Sequence, residues 1–254
     1  MTIEYGPVPV KAEERRPVIA VYKLASCSGC QAQLANLNEQ LLRLLDLVEV
    51  GLFQLVEAAA AEPPYDIGLV EGAVVGHHSE ELLRRAREEC RVLVALGSCA
   101  GTGGILTRRY TCNWPAQPGA VTQPPEVPLP RPITELVTVE ASVPGCPADL
   151  GDLTRVLHAL LHGLRPDLPG HSVCQECLFE QNECILRQRG LACLGATTRG
   201  GCNARCPAAG QACWGCRGEL PGANTSALLT EWDALPGMDR RKLYTVEASK
   251  EVLA

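Results

Sequence analysis

The chain has 254 residues, 46% of them hydrophobic, and a formal charge of −6 from 23 Lys and Arg against 29 Asp and Glu. That length holds one domain of ordinary size and a smaller second one. The acidic balance, without a basic stripe or an aromatic-interleaved Lys/Arg patch, excludes a nucleic-acid-binding role, and no run reaches the roughly 18–20 apolar residues of a transmembrane segment.

The first predicted element is PVIAVYK (17–23), a Val/Ile-rich strand that leads into the pair Cys27 and Cys30. Leu34, Leu37, Leu41, Leu42, Leu44 and Leu45 then predict an amphipathic helix over 31–45. DIGLVEG (66–72) reads as a second strand and SEELLRRAREE (79–89) as a helix with Ser79 as its N-cap. RVLVALGSC (91–99) and VTVEASVPGC (137–146) are further strands, and DLGDLTRVLHALLHGL (149–164) is a closing helix. Strands alternating with helices predict an α/β fold with a parallel sheet. Seven prolines between Tyr110 and Ile133 predict a long, extended surface loop. A break at residues 165–170 separates this region, 1–165, from a Cys- and Gly-rich second domain, 166–254.

Twelve of the 14 cysteines sort into three sets of four. Cys27 and Cys30 in SCSGC, Cys99 in GSCAG and Cys146 in PGCP each follow the C-terminal end of a predicted strand, where open α/β sheets bind their ligands. These four form one site. The other eight lie within 43 residues, as Cys174, Cys177, Cys184 and Cys193, then Cys202, Cys206, Cys213 and Cys216. Four thiolates are what a [4Fe–4S] cubane needs, so three sets predict three cubanes.

Disulfides would require a secreted chain. The N-terminal residues contain no apolar signal core, and Arg15-Arg16 is followed by a stretch that holds Lys23, so neither a signal peptide nor a twin-arginine signal is expected. The expected compartment is the cytoplasm, where thiols stay reduced. Zinc is the rival metal, because Cys174/Cys177 and Cys213/Cys216 each fit a zinc knuckle. A zinc-stabilised interaction subunit is therefore the alternative from another class. Against it, the eight lack the evenly spaced pairs of a simple ribbon, and histidines take no regular part. Gly195, Gly200, Gly201 and Gly215 would let backbone amides approach cluster sulfides. Cys90 and Cys112 read as ordinary thiols, and His77 and His78 as surface residues. GTGG (101–104) lacks the context of a dinucleotide-binding loop.

CSGC, GSC and PGCP resemble the proximal-cluster motifs of [NiFe]-hydrogenase small subunits, which share a flavodoxin-like domain with the 20-kDa-type subunit of respiratory complex I. The stretch CLGATTRGGCNARCPAAGQACWGC resembles the two-cluster region of the cytoplasmic hydrogenase branch, of sulfhydrogenase and methyl-viologen-reducing type. The resemblance covers roughly residues 17–220, and a complex I-like subunit would lack the tail. It implies a proximal cluster on Cys27, Cys30, Cys99 and Cys146, a middle one on Cys202, Cys206, Cys213 and Cys216, and a distal one on Cys174, Cys177, Cys184 and Cys193. It places the Ni–Fe centre on a separate large subunit and implies the reaction H2 ⇌ 2 H+ + 2 e−, with a further electron-accepting or -donating partner. Where the membrane-bound branch carries a proline and a three-iron cluster, this chain has Cys206, so four irons are expected. That branch also uses a histidine spaced H-x2-C as a distal ligand. His171 stands so spaced before Cys174 and is a candidate ligand, with a solvated loop histidine as the plain alternative. Glu71 at the end of its strand reads either as a solvated strand end or, by resemblance, as a proton relay or hydrogen-bond partner near the large-subunit interface.

Overall fold

The computed structural model describes residues 15–35, 46–56, 58, 59, 61–104, 107 and 128–235. Most of the predicted 31–45 helix, most of the proline-rich loop and Cys112 lie outside these residues. Within them the chain divides into two compact units, the second beginning at residue 168 in the C-terminal part of the chain.

The first unit is built on a six-stranded sheet. β1 (Val18–Lys23), β2 (Glu49–Phe53), β4 (Tyr65–Glu71), β5 (Cys90–Leu96) and β6 (Ala141–Val143) run parallel in the order β2-β1-β4-β5-β6. The two-residue β3 (Ala58–Ala59) pairs antiparallel on the β2 edge. Counting parallel strands only, the order is 2-1-3-4-5, that of flavodoxin-like folds. The centre of the sheet is apolar because both faces are covered. All seven residues of β4 are buried, and so are Val92 to Leu96 of β5.

The helices bury single faces. α1 (Gly29–Ala35) follows β1, and α2 (Gly76–Glu89) turns Leu83 and Ala86 inward. α3 (Gly97–Thr102) begins directly after β5. α4 (Leu150–Leu161) buries Leu153, Val156, Leu157 and Leu160, a helical stripe, and Asp149 caps it by accepting the Asp152 N–H at 3.0 Å. At the N-terminal ends of the central strands, Asp66 accepts the Val18 N–H at 2.8 Å and Arg15 Nη1 at 2.8 Å, tying β1 to β4.

The boundaries differ from the sequence reading in physically explicable ways. Ser79 does not cap α2 from outside. It sits inside the first turn and bonds back to Val75, donating to its carbonyl at 2.6 Å and accepting its N–H at 3.2 Å. The strand expected over 91–99 ends at Leu96, because Gly97 takes a φ of +82° that turns the chain into α3. The strand expected over 137–146 shortens to Ala141–Val143. Just before it, the Glu140 carboxylate accepts the Leu93 N–H at 2.6 Å and so replaces a backbone partner. Cys90 opens β5 and is buried beside Tyr22, whose hydroxyl donates to Glu89 at 2.6 Å. β2 and β3 have no counterpart in the sequence reading.

Among its described residues the second unit carries four short helices, α5 (Val173–Phe179), α6 (Ile185–Arg189), α7 (Arg205–Ala208) and α8 (Thr225–Asp233). Ser172 and Gln175 form a capping box at the start of α5. The buried clusters of this unit are small. Leu194, Leu228 and Trp232 make one, and Val173, Ala204 and Cys213 another, with Cys177, Cys193 and Cys202 packed against the latter.

Candidate functional site

In the first unit, three strand ends converge. The loop after β1 is pinned by the Leu24 N–H on the Glu71 carbonyl at 2.7 Å and by reciprocal bonds between Ala25 and Ala73. It carries Cys27, and α1 starts so that Cys30 falls in its first turn. Glu71, the last residue of β4, is 1% exposed. Its carboxylate accepts the Cys30 N–H at 3.0 Å and the Gln31 N–H at 3.4 Å, satisfying two amides that a helix start leaves without partners.

After β5, Cys99 lies in α3, and the Ser98 N–H donates to the Gly145 carbonyl at 2.8 Å, joining this turn to the PGCP loop. From that loop the Ala148 N–H donates to Cys30 Sγ at 3.4 Å. A Cβ at Gly97 would stand 2.5 Å from Cys30 Sγ, so the sulfur occupies space that only glycine leaves free. Burial pushes the Cys30 thiol up to about 12. The Ala148 amide opposes that shift, and the charges of Glu71, Cys146 and Cys99 add to it. Cys30, Cys99 and Cys146 are thus electrostatic neighbours. Cys27, on the same loop as Cys30, is exposed, as is Cys146.

In the second unit, Cys174 and Cys177 lie one turn apart on α5, Cys184 caps α6, and Cys193 follows it. The Cys174 thiol is pushed up to about 12 by burial, with the charges of Cys193, Cys177 and Cys184 adding. Cys202, Cys206, Cys213 and Cys216 together line one small pocket, open in part to solvent, with Val173 and Pro207 among its apolar walls. Burial pushes the Cys213 thiol up to about 12 as well. The Gly215 amide and Thr198 oppose this shift, and Cys193 and Cys216 add to it. The two sets adjoin, since the Cys213 N–H donates to Cys193 Sγ at 3.2 Å.

These surroundings fit iron–sulfur centres. Buried thiols that resist ionisation next to one another need a cationic core to become thiolates together. The Ala148 and Cys213 amides already point at sulfur, as cluster ligation favours. Among the described residues, no group of three or more His, Cys, Asp or Glu is placed to hold a metal ion.

His171 lies beside Glu176 and Gly200. Its Nε2 lies 3.0 Å from Glu176 Oε1, and its ring packs on Gly200. His77 and His78 are exposed in the first turn of α2, with His77 3.3 Å from Glu81. Two tail residues escaped the sequence reading. Glu176 is 7% and Arg217 3% exposed. Burial opposes ionisation of Glu176, yet the Gly201 amide, His171 and the Ala204 amide hold it below the ordinary carboxylate range. The available signal was the capping box at Ser172, which starts a helix that turns Glu176 inward between two cysteines.

The family model described as NADH ubiquinone oxidoreductase, 20 Kd subunit, matches residues 27–160. Sulfhydrogenase 2 subunit delta of Pyrococcus furiosus is 35% identical over 202 residues, covering 79% of this chain and 85% of that protein. A vhu subunit of the F420-non-reducing hydrogenase of Methanocaldococcus jannaschii is 31% identical, covering 83% and 86%. Among solved structures, the [NiFeSe] hydrogenase of Desulfovibrio vulgaris Hildenborough aligns with a TM-score of 0.54 at 18% identity, over 82% of this chain and 95% of that one, and so shares the fold. No described helix is long and apolar enough to cross a membrane. The chain belongs to the NADH ubiquinone oxidoreductase 20 kDa subunit family, and within it to the hydrogenase small subunits.

Proposed function

We propose that this chain is the electron-transfer small subunit of a cytoplasmic [NiFe]-hydrogenase, holding three [4Fe–4S] clusters between a partner's Ni–Fe site and a further redox partner. The cysteine-lined cavity of the second unit carries this reading, because a complex I-like subunit would lack that region. Named hydrogenase relatives that span most of the chain support it.

The residues divide the work. Cys27, Cys30, Cys99 and Cys146 would hold the proximal cluster. Cys202, Cys206, Cys213 and Cys216 would hold the middle one, and Cys174, Cys177, Cys184 and Cys193 the distal one. When bound, such clusters supply one-electron relay stations whose potentials follow burial and hydrogen bonds to sulfur. Glu71 orients Cys30 through the two amides of α1, which favours a positioning role for it over a proton relay. The exposed Cys27 and Cys146 mark the rim over which the large subunit would dock. Cleavage of H2 belongs to that partner.

The test is reduction by H2 of the complex. Absorbance near roughly 400 nm should bleach under H2 in the wild type, and Cys30→Ala should abolish reduction of the tail clusters. Zinc in place of iron, or full H2-driven bleaching in Cys30→Ala, would contradict the reading.

A further inference from the structure

Glu176 belongs to none of the cysteine sets, yet it sits on the helix of one and its carboxylate meets a cysteine of another. It lies between Cys174 and Cys177 on α5, yet its carboxylate reaches the loop that carries Cys202 and Cys206. Oε1 accepts the Gly201 N–H and meets His171 Nε2 at 3.0 Å. Oε2 accepts the Ala204 N–H at 3.0 Å and lies 3.6 Å from Cys202 Sγ. That loop needs a hold. Gly201, Asn203 and Ala204 have φ of +107°, +53° and +48°, left-handed values that glycine and asparagine tolerate and that alanine adopts only when its surroundings enforce it. Two backbone amides aimed at one buried anion supply the enforcement. Cys202 also feels Arg217, buried and donating from Nε to the Gly200 carbonyl at 2.6 Å, so opposite charges flank this sulfur.

We propose that Glu176 is a positioning residue. Its carboxylate clamps the Cys202–Cys206 loop to the helix bearing Cys174 and Cys177, and its charge beside the Cys202 sulfur holds the centre on that sulfur at a low reduction potential. The inference rests on the reading that the tail cysteines bind iron–sulfur centres. A fixed negative charge at a ligand sulfur opposes the arrival of an electron, and cluster potentials respond to such charges and to hydrogen bonds at sulfur. The same carboxylate links the two tail sets mechanically, so the loop and the helix keep one relative placement.

Two variants separate charge from size, each studied in the assembled complex by iron analysis and EPR-monitored redox titration. Glu176→Gln keeps the size and removes the charge. It should shift the potential of the centre on Cys202 upward, more than that of any other centre, and leave the proximal one unmoved. Glu176→Asp keeps the charge and should stay near the wild-type potential. Unmoved potentials in Glu176→Gln with full iron content would overturn the inference alone. If Glu176→Gln sheds tail iron, retention of that iron in Glu176→Asp supports the inference, and its loss there too overturns it. A wild-type complex without tail iron would overturn both this inference and the functional reading beneath it.

Discussion

The two units bring cysteines together by opposite routes. In the first, cysteines 119 positions apart in sequence, Cys27 to Cys146, are brought to one edge by parallel strands with a buried core of their own. In the second, eight cysteines within 43 residues sit on short helices and turns, beside small apolar clusters. The first site is therefore preorganised by burial of apolar surface. On the proposed function the second would depend on its metal for much of its fold, as small metal-organised domains do.

Removing the iron exploits that difference most severely. Anaerobic chelation of the complex should strip amide protection from residues 168–235 while β1, β4 and β5 remain protected, as read by hydrogen-exchange mass spectrometry. Equal loss in both units would erase the distinction. Next in size is Gly97→Ala, which forces a Cβ to 2.5 Å from Cys30 Sγ at a φ of +82°. It should cost about 2 kcal/mol and remove roughly a third of the chain's iron, with the tail centres intact by EPR.

Cys206→Pro acts on a single iron. It should convert the middle centre to a three-iron form with its own EPR signal, and an unchanged spectrum would refute the assignment of Cys206.

Asp66→Asn should move no iron at all. Burial alone would raise the Asp66 pKa, but the Val18 amide and Arg15 hold it below the ordinary carboxylate range. A depressed folded-state pKa gives stability that is present at neutral pH and lost as the pH falls through the acidic range. The variant should lose about 2 kcal/mol at neutral pH, and the gap to wild type should close on acidification, measured by denaturant unfolding of the sheet.

What could be read from the sequence follows the same division. The strand-end placement of the first unit's cysteines was legible because each follows an apolar run, and strand ends are where such sheets bind. The tail cysteines were legible only as spacing. Local geometry was not. β5 stops at Leu96 because a glycine turns the chain there, and the Glu140 side chain substitutes for a strand residue, neither of which periodicity records. His171 matched a ligand spacing, but spacing gave no sign that its Nε2 meets Glu176. Glu176, within a C-x2-C pair, carries no sequence signal of its own, and only the fold of the 201–206 loop around it shows that its carboxylate is buried on two amides.

The central claim is that both routes end in the same kind of centre. Mössbauer spectroscopy of the ⁵⁷Fe-enriched complex, with iron, sulfide and zinc analysis, tests it most directly. The account predicts about twelve irons and twelve sulfides on this chain, resolved as three four-iron centres. Four irons with zinc in the tail, or iron without matching sulfide, would contradict it.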